Sequence, residues 1–477
     1  MTATTRPRVV ILGAGPAGVG SAYRLARRGG FEVVVVERSR VVGGNAGSFQ
    51  LAGHPVDYGS HRLHPTCDPT VLRDIENLLG DDLVDRPRHG RIRLRGRWIH
   101  FPLKPLDLAL GLSPRFALGV GADLIRKVRR SSTEASGPET FASVLEAGLG
   151  RTICRDFYFP YAQKIWGVPP FELAAMQARR RVSAGSLARM ARKILAAVPG
   201  FKSRGSGRFY YPRGGYGAIS QAYHRAAEAA GAMFIFGARA GAVERAGERV
   251  VGVELEEEGC PRRLEADQVW STIPVSTLAE SLRPAAPDAV LEASRCIEFR
   301  AMILVYLVLE QDRFTEYDAH YFPEPGIRIS RLSEPKNYGL TGPPDRTVLC
   351  AELPCSTTDP EWSFSADDLG RLVGGALDRA GLPLRAPVKE VVVRRLGQAY
   401  PIYRRGYETH LEVLESYLDR FANLLTFGRQ GLFVHDNTHH TLAMAYAAVA
   451  CLGADGRLDR ARWHEYRRTF ATHVVED

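Results

Sequence analysis

Residues 9–44 read VVILGAGPAGVGSAYRLARRGGFEVVVVERSRVVGG. The run Val9–Leu12 is apolar throughout, the pattern of a strand buried on both faces of a parallel sheet. Gly13, Gly15 and Gly18 follow in the order G-x-G-x-x-G. In that order the first glycine permits a tight turn, the second lets a pyrophosphate approach the backbone, and the third lets helix pack on strand. A helix over Ala17–Arg28, entered through Pro16, would aim its first N–H groups at the phosphates. Phe31–Val36 reads as the second strand. Glu37 closes it 19 residues after Gly18, where a carboxylate can accept from ribose hydroxyls. An acid there favours a free 2′-hydroxyl over a 2′-phosphate, which leaves NAD and FAD open.

The whole chain has 477 residues, enough for two or three domains with sizeable cores. Its 45% hydrophobic and 24% charged residues are ordinary for a soluble globular protein. The net charge of +10 fits an acidic ligand such as a diphosphate, or nucleic acid, or nothing specific. The densest basic run, RKVRR at 126–130, precedes a polar linker at 131–140 and reads as a solvated face. No aromatic interleaving accompanies it, so no nucleic-acid partner is expected. Seven cysteines without a C-x-x-C argue against a disulfide framework and against structural zinc. MTATTRPR lacks the apolar core of a signal peptide. The apolar run 442–453 is too short to cross a bilayer, and 105–125 is interrupted by Asp107, Pro114 and Arg115. The expectation is a cytoplasmic protein with no integral membrane segment.

Beyond the opening unit, GHPVDYGSHRLHP at 53–65 is a strand and turn delivering His61 and His64. RIRLRGRWIHFPLKP at 91–105 alternates like a hairpin turning at Gly96. From 106 to 204 the pattern is mainly helical. A glycine turn, helix and strand follow over 207–237, a strand–turn–strand unit over 239–259, and a long apolar strand over 298–310. A strand, loop and helix close the chain over 427–453. The expected fold is therefore mixed α/β: a Rossmann-type nucleotide-binding domain split into 1–85, 205–290 and 395–477. Residues 86–204 and 295–394 would form an inserted helical and β-sheet substrate-binding or cap domain. Ligand pockets form at such interfaces.

The extension RSRVVGGNAGSF at 38–49 adds a second glycine turn after the acid. It resembles the R-x-x-x-G-G extension of FAD enzymes of the amine oxidase, protoporphyrinogen oxidase and UDP-galactopyranose mutase superfamily. Arg38, Gly43, Gly44 and Asn45 carry that likeness. Further pieces resemble the mutases in chain order: DYGSHRLHP (57–65), RWIHFPLKP (97–105), FYFPYAQKIWGVPPFEL (157–173), YFPEPGIRISRLSEPKNYG (321–339) and GRQGLF (428–433). The resemblance implies FAD as cofactor. It places His61 beside the flavin, Arg181 and Arg331 on a substrate diphosphate, Tyr400 as a diphosphate-binding tyrosine, and Val243 on the strand that meets adenine. It also brings Gly428, Arg429, Asn437 and Thr438 to the cofactor. The C-terminal loop departs from the mutases, which carry a second tyrosine and an acid where this chain has His435 and His439 in VHDNTHH.

His61 and His64 could serve as a base, a flavin contact or metal ligands; no third ligand has suitable spacing, so no metal is expected. Histidine suits proton transfer near neutrality, which makes His61 and His439 candidate catalytic groups together with Arg331. Arg181, Arg331, Asn337, Tyr338, Tyr400 and His435 are the candidate substrate contacts. The function expected is an FAD-dependent oxidoreductase moving hydride from a small polar molecule to flavin N5. That molecule would be sugar-like or nucleotide-sugar-like, and diphosphate-bearing if the arginines act as read. One alternative is a non-redox sugar mutase using reduced FAD as nucleophile; another is a flavin-binding protein without turnover.

Overall fold

The computed structural model describes residues 6–101, 116, 118–123, 138–181, 207–257, 260–340 and 342–475, with Arg181 and Cys260 by backbone alone. The opening stretch builds the centre of a five-stranded parallel sheet. Its order is Leu424–Thr426, Gln268–Ser271, Arg8–Leu12, Glu32–Glu37, Met233–Phe236. These strands come from three widely separated stretches of chain. Side chains alternate across the sheet, as the period of two dictates. Val9, Ile11, Val33 and Val35 pack into one core with the Pro16–Arg28, Ala218–Ala229 and Thr438–Ala450 helices. Val10, Leu12, Val34 and Val36 enter another, under Ala238–Ala246 and Arg249–Glu257. Burial on both faces is why these strands read as unbroken apolar runs.

The first helix begins at Pro16, one residue before the sequence reading, because proline's fixed φ and missing N–H suit the first helical position. The second strand runs to Glu37 itself. The 238–257 segment forms the expected antiparallel pair, extended by Cys260–Glu265 and by Leu282–Arg283.

The second large unit is a seven-stranded sheet. Its order is Val388–Pro401, Phe299–Leu309, Thr347–Cys355, Arg331–Ser333, Ala319–Tyr321, Gly90–Leu94, Arg97–Phe101. The hairpin read at Gly96 is present, with Arg95 and Gly96 both at positive φ (53° and 76°), the conformation a two-residue hairpin turn needs. One sheet face packs on the Ala366–Arg379 helix through Leu369, Val373 and Leu377. The other, with Met302, Leu304 and Tyr306, packs on Leu51 and Val56 of the small hairpin that follows the second glycine turn. Most of 105–125, the RKVRR run and nearly all of the 131–140 linker lie outside the described residues. Among the described residues no helix is long and apolar enough to cross a membrane.

Candidate cofactor and substrate cavity

A cavity of about 410 Å³ runs from the Gly13–Gly15 turn to the inner face of the seven-stranded sheet. At its first end two glycine turns lie on each other. Gly43 N–H donates to Ala14 O at 2.9 Å. A Cβ on Gly44 would stand 3.4 Å from Gly15 Cα. Gly18 is forced to be glycine from below, since a Cβ there would lie 1.9 Å from Gly13 O. Gly428 holds φ +80° and has the same role beside Ala17, whose Cβ is 2.8 Å from the position a side chain would take. Gly15 differs: a Cβ there meets nothing within 4 Å and would project into the cavity. The helix starting at Pro16 has no side-chain cap, so its leading N–H groups point at an open cradle. Glu37 accepts from Ala14 N (2.7 Å) and Ser39 N (2.8 Å) and lines the cavity beside Arg38. An open glycine and an uncapped helix end offer donors to a dinucleotide diphosphate, and a lining acid offers an acceptor to its ribose hydroxyls. The residues present therefore fit FAD.

His61 lies half-buried further along the wall, stacked on Tyr216 with ring centroids 5.3 Å apart. Its Nε2 is 3.0 Å from both Asn45 O and Tyr58 O, so that nitrogen carries the proton and donates to two carbonyls. Burial, reinforced by the nearby Arg331 charge, lowers the pKa of His61 to about 4. The ring is neutral at physiological pH, and Nδ1 is the acceptor. Arg331 sits 2.7 Å from Glu352, the pair almost wholly buried. Burial works against its charge, and Glu352 overrides that and holds the guanidinium protonated. Glu352 also accepts from Ser60 N at 2.8 Å, tying the arginine to the turn that carries His61.

The C-terminal segment closes the wall. Arg429 donates to Ala399 O (3.2 Å) and lies over the Tyr400 ring at 5.2 Å. Gln398 O joins two turns, accepting from Asn45 Nδ2 at 3.0 Å and Gln430 Nε2 at 2.8 Å. His435 is buried among Trp166, Tyr400 and Tyr403, its ring 4.9 Å from that of Tyr403. Asn437, Thr438 and Thr441 face the cavity at the start of the last long helix.

The structure thus gathers Gly13, Gly15, Pro16, Ala17, Glu37, Arg38, Gly44, Asn45, His61, Arg331, Tyr400, Arg429, His435, Asn437 and Thr438 around one cavity. Gly18, Gly43 and Gly428 sit beneath it as packing positions. Three residues expected at the site lie away from the cavity lining. Asn337 turns inward, its amide donating to Thr315 O, Tyr317 O and Glu334. Tyr338 is 1% exposed, its hydroxyl bonded to Ser60 Oγ. His439 is 3% exposed and packs on His440 instead of facing the cavity, because Thr438 and Thr441 take the cavity side of that helix. The Val243 side chain is wholly buried, and its strand, read as the one that meets adenine, lines the cavity through Ala238, Arg239 and Ala240. The side chain of Arg181 lies outside the described residues. His64 Nδ1 lies 2.8 Å from Thr66 Oγ1.

Sequence reading missed Arg62, Tyr216 and Glu352. Glu352 had a signal: it is the single charged residue in the buried strand Thr347–Cys355. Arg62, paired to Asp318 at 3.0 Å, had none.

Residues 16–447 match the flavin containing amine oxidoreductase family. The phytoene dehydrogenase of Streptomyces griseus is 27% identical over 280 residues, 53% of this chain and 52% of that protein. The chain thus spans about half the length of that curated relative. Among solved structures, reduced UDP-galactopyranose mutase superposes with a TM-score of 0.78 at 21% identity, covering 93% of each chain. Cyclohexylamine oxidase from Brevibacterium oxydans IH-35A gives 0.64 at 18%, covering 97% of this chain and all of that one. The fold is that of the FAD-binding amine oxidases. The chain belongs to the flavin-containing amine oxidoreductase family, and its cofactor is FAD.

Proposed function

We propose that this protein is an FAD-dependent oxidoreductase of a small, polar, anionic metabolite of sugar-like or nucleotide-sugar-like character. The observation that carries this reading is the charge of the cavity away from the glycine turns. Arg331, Arg395 and Arg429 stand there with Tyr161, Tyr321 and Tyr400, and the two carboxylates on that part of the wall, Glu352 and Asp436, are paired with Arg331 and Arg180. A surplus of guanidinium and phenol groups suits phosphate, carboxylate or sugar hydroxyls and repels a polyamine. The FAD, when bound, supplies the two-electron acceptor. His61 contributes a neutral ring whose Nδ1 accepts a substrate hydroxyl proton while Nε2 stays fixed to two carbonyls. Arg331, immobilised by Glu352, orients the anionic end. The glycine turns and the parallel sheet form the cofactor unit, and the seven-stranded sheet with its helices forms the substrate unit. Among the described residues six cysteines are free, five of them buried, which suits a reducing cytoplasm.

A second reading, a non-redox sugar mutase, draws on Arg331 and Tyr400 both lining the cavity; His435 in the C-terminal loop draws against it. One experiment separates them. UDP is titrated into oxidised and dithionite-reduced holoenzyme while the flavin spectrum is followed. Saturable binding to the oxidised form that Arg331→Ala weakens at least tenfold supports the oxidoreductase of an anionic substrate. Binding confined to the reduced form favours the mutase. No perturbation in either state removes the nucleotide-sugar class.

A further inference from the structure

Asp436 is buried where the loop enters the Thr438–Ala450 helix, and both of its oxygens are engaged. Oδ1 lies 3.3 Å from Arg180 Nη1 and Oδ2 lies 2.6 Å from His473 Nδ1. His473 belongs to the segment after the Arg460–Phe470 helix and is remote in sequence. His440, on the first turn of the Thr438–Ala450 helix, stacks on His473 with centroids 4.2 Å apart and planes 16° apart. One ligand atom from each of Asp436, His440 and His473 lies within 4.8 Å of the other two. A third imidazole adjoins them: His439 packs 4.1 Å from His440, and its buried Nδ1 has no hydrogen-bond partner among the described residues. The glycine turns, the cavity wall and the catalytic groups proposed above use none of these imidazoles.

We propose that Asp436, His440 and His473 bind one divalent transition-metal ion that latches the C-terminal segment to the cavity wall. Two imidazoles and a carboxylate form a nitrogen-rich set suited to zinc, cobalt or nickel; magnesium and calcium take oxygen ligands. Three protein ligands leave a fourth position for water. Arg180 on the far oxygen is the partner that a metal-bound carboxylate ordinarily has. The ion takes the place of the proton between His473 Nδ1 and Asp436, and that proton passes to Nε2 or to solvent. Tetrahedral bonds of about 2.0–2.1 Å set ligand atoms about 3.3 Å apart, so the present 2.6 Å contact opens by a side-chain adjustment alone. His440 Nδ1 is 3.3 Å from Asn437 N, a long contact that an ion readily displaces. The structural consequence is local. Val475 lines the cavity and its N–H donates to Arg180 O at 2.9 Å, so fixing His473 fixes this stretch of wall.

The test uses holoenzyme dialysed against a chelator. Zinc is titrated by calorimetry, and cobalt is followed by its ligand-field absorption. His473→Gln and His440→Gln are compared with His464→Gln, whose side chain is half exposed and lies at Asp419. The expected result is one ion per chain, a higher unfolding temperature with zinc, and at least tenfold weaker binding in the first two variants alone. His473 lies beyond the last helix, and unchanged flavin content certifies that its variant folds. No saturable site, or a site that His473→Gln and His440→Gln leave intact, overturns the proposal.

Discussion

Gly15 and Gly18 are three residues apart and are glycine for opposite reasons. A side chain at Gly18 would meet the backbone of the first turn at 1.9 Å, which nothing flexible can relieve. A side chain at Gly15 meets no protein atom within 4 Å; it meets whatever occupies the cavity. The two substitutions must therefore separate folding from cofactor binding. Gly15→Val is expected to fold with an unfolding midpoint near that of flavin-free wild type, yet to purify without flavin. Gly18→Ala is expected to lose stability by about 2 kcal/mol or more, the scale of overpacking against a fixed neighbour. Absorbance of purified protein and urea unfolding decide both. Flavin retained by Gly15→Val would show that the diphosphate does not lie over this turn.

At the scale of the element, the start of the Thr438–Ala450 helix separates residues that line the cavity from one that does not. Asn437 and Thr438 reach the cavity, but His439 does not, because successive helical residues point about 100° apart and one face alone can meet the ligand. The loop is legible in the sequence and its rotation is not. The consequence of burying His439 is a proton-linkage effect. Burial lowers its pKa to about 4, and His61 is lowered likewise. Both rings are neutral in the fold and take up protons below about pH 6.5 once unfolded. Stability therefore falls as pH drops from about 6.5 toward 4. Asp57 acts in the other direction. Burial, against three hydrogen bonds from Ser48, Tyr211 and Tyr216, raises its pKa to about 6. Its contribution is full below the unfolded value of 3.8 and is lost as pH rises through 6. Among these three groups the two rings displaced downward outweigh the one carboxyl displaced upward, so their summed contribution is acid-labile. His439→Phe is expected to flatten that slope and Asp57→Asn to steepen it, each variant referenced to its own stability at neutral pH. Urea midpoints across the window read this directly; slopes unchanged by either variant would refute the assignment.

At the scale of the molecule, what was legible in the sequence is what is local. The glycine turns, the first helix and the acid at Glu37 announce themselves within one supersecondary unit, because turn and helix start are set by neighbouring residues. The wall opposite is assembled from a distance: Ser60 and Glu352 are 292 residues apart, and no short-range pattern pairs them. Chain segments from both sheets therefore converge on the cavity, through Asn45 with Gln398, Ser60 with Glu352, and Tyr306 with Asp57 O at 2.6 Å. A ligand held at such a junction stabilises the native state by its binding free energy, and most of all the segments that touch it. Removing the flavin from folded protein is thus expected to lower the unfolding temperature and to speed amide exchange unevenly. Gly13–Gly18, Gly43–Ala46 and Gly428–Gly431 lose protection. The Ala366–Arg379 helix, packed on the far face of the seven-stranded sheet, keeps its own. Hydrogen exchange read by mass spectrometry on holoprotein and stripped protein resolves these segments. Equal loss everywhere would mean that the cofactor supports a global equilibrium and not this junction. Loss confined to the Ala366–Arg379 helix would place the flavin on the wrong side of the sheet.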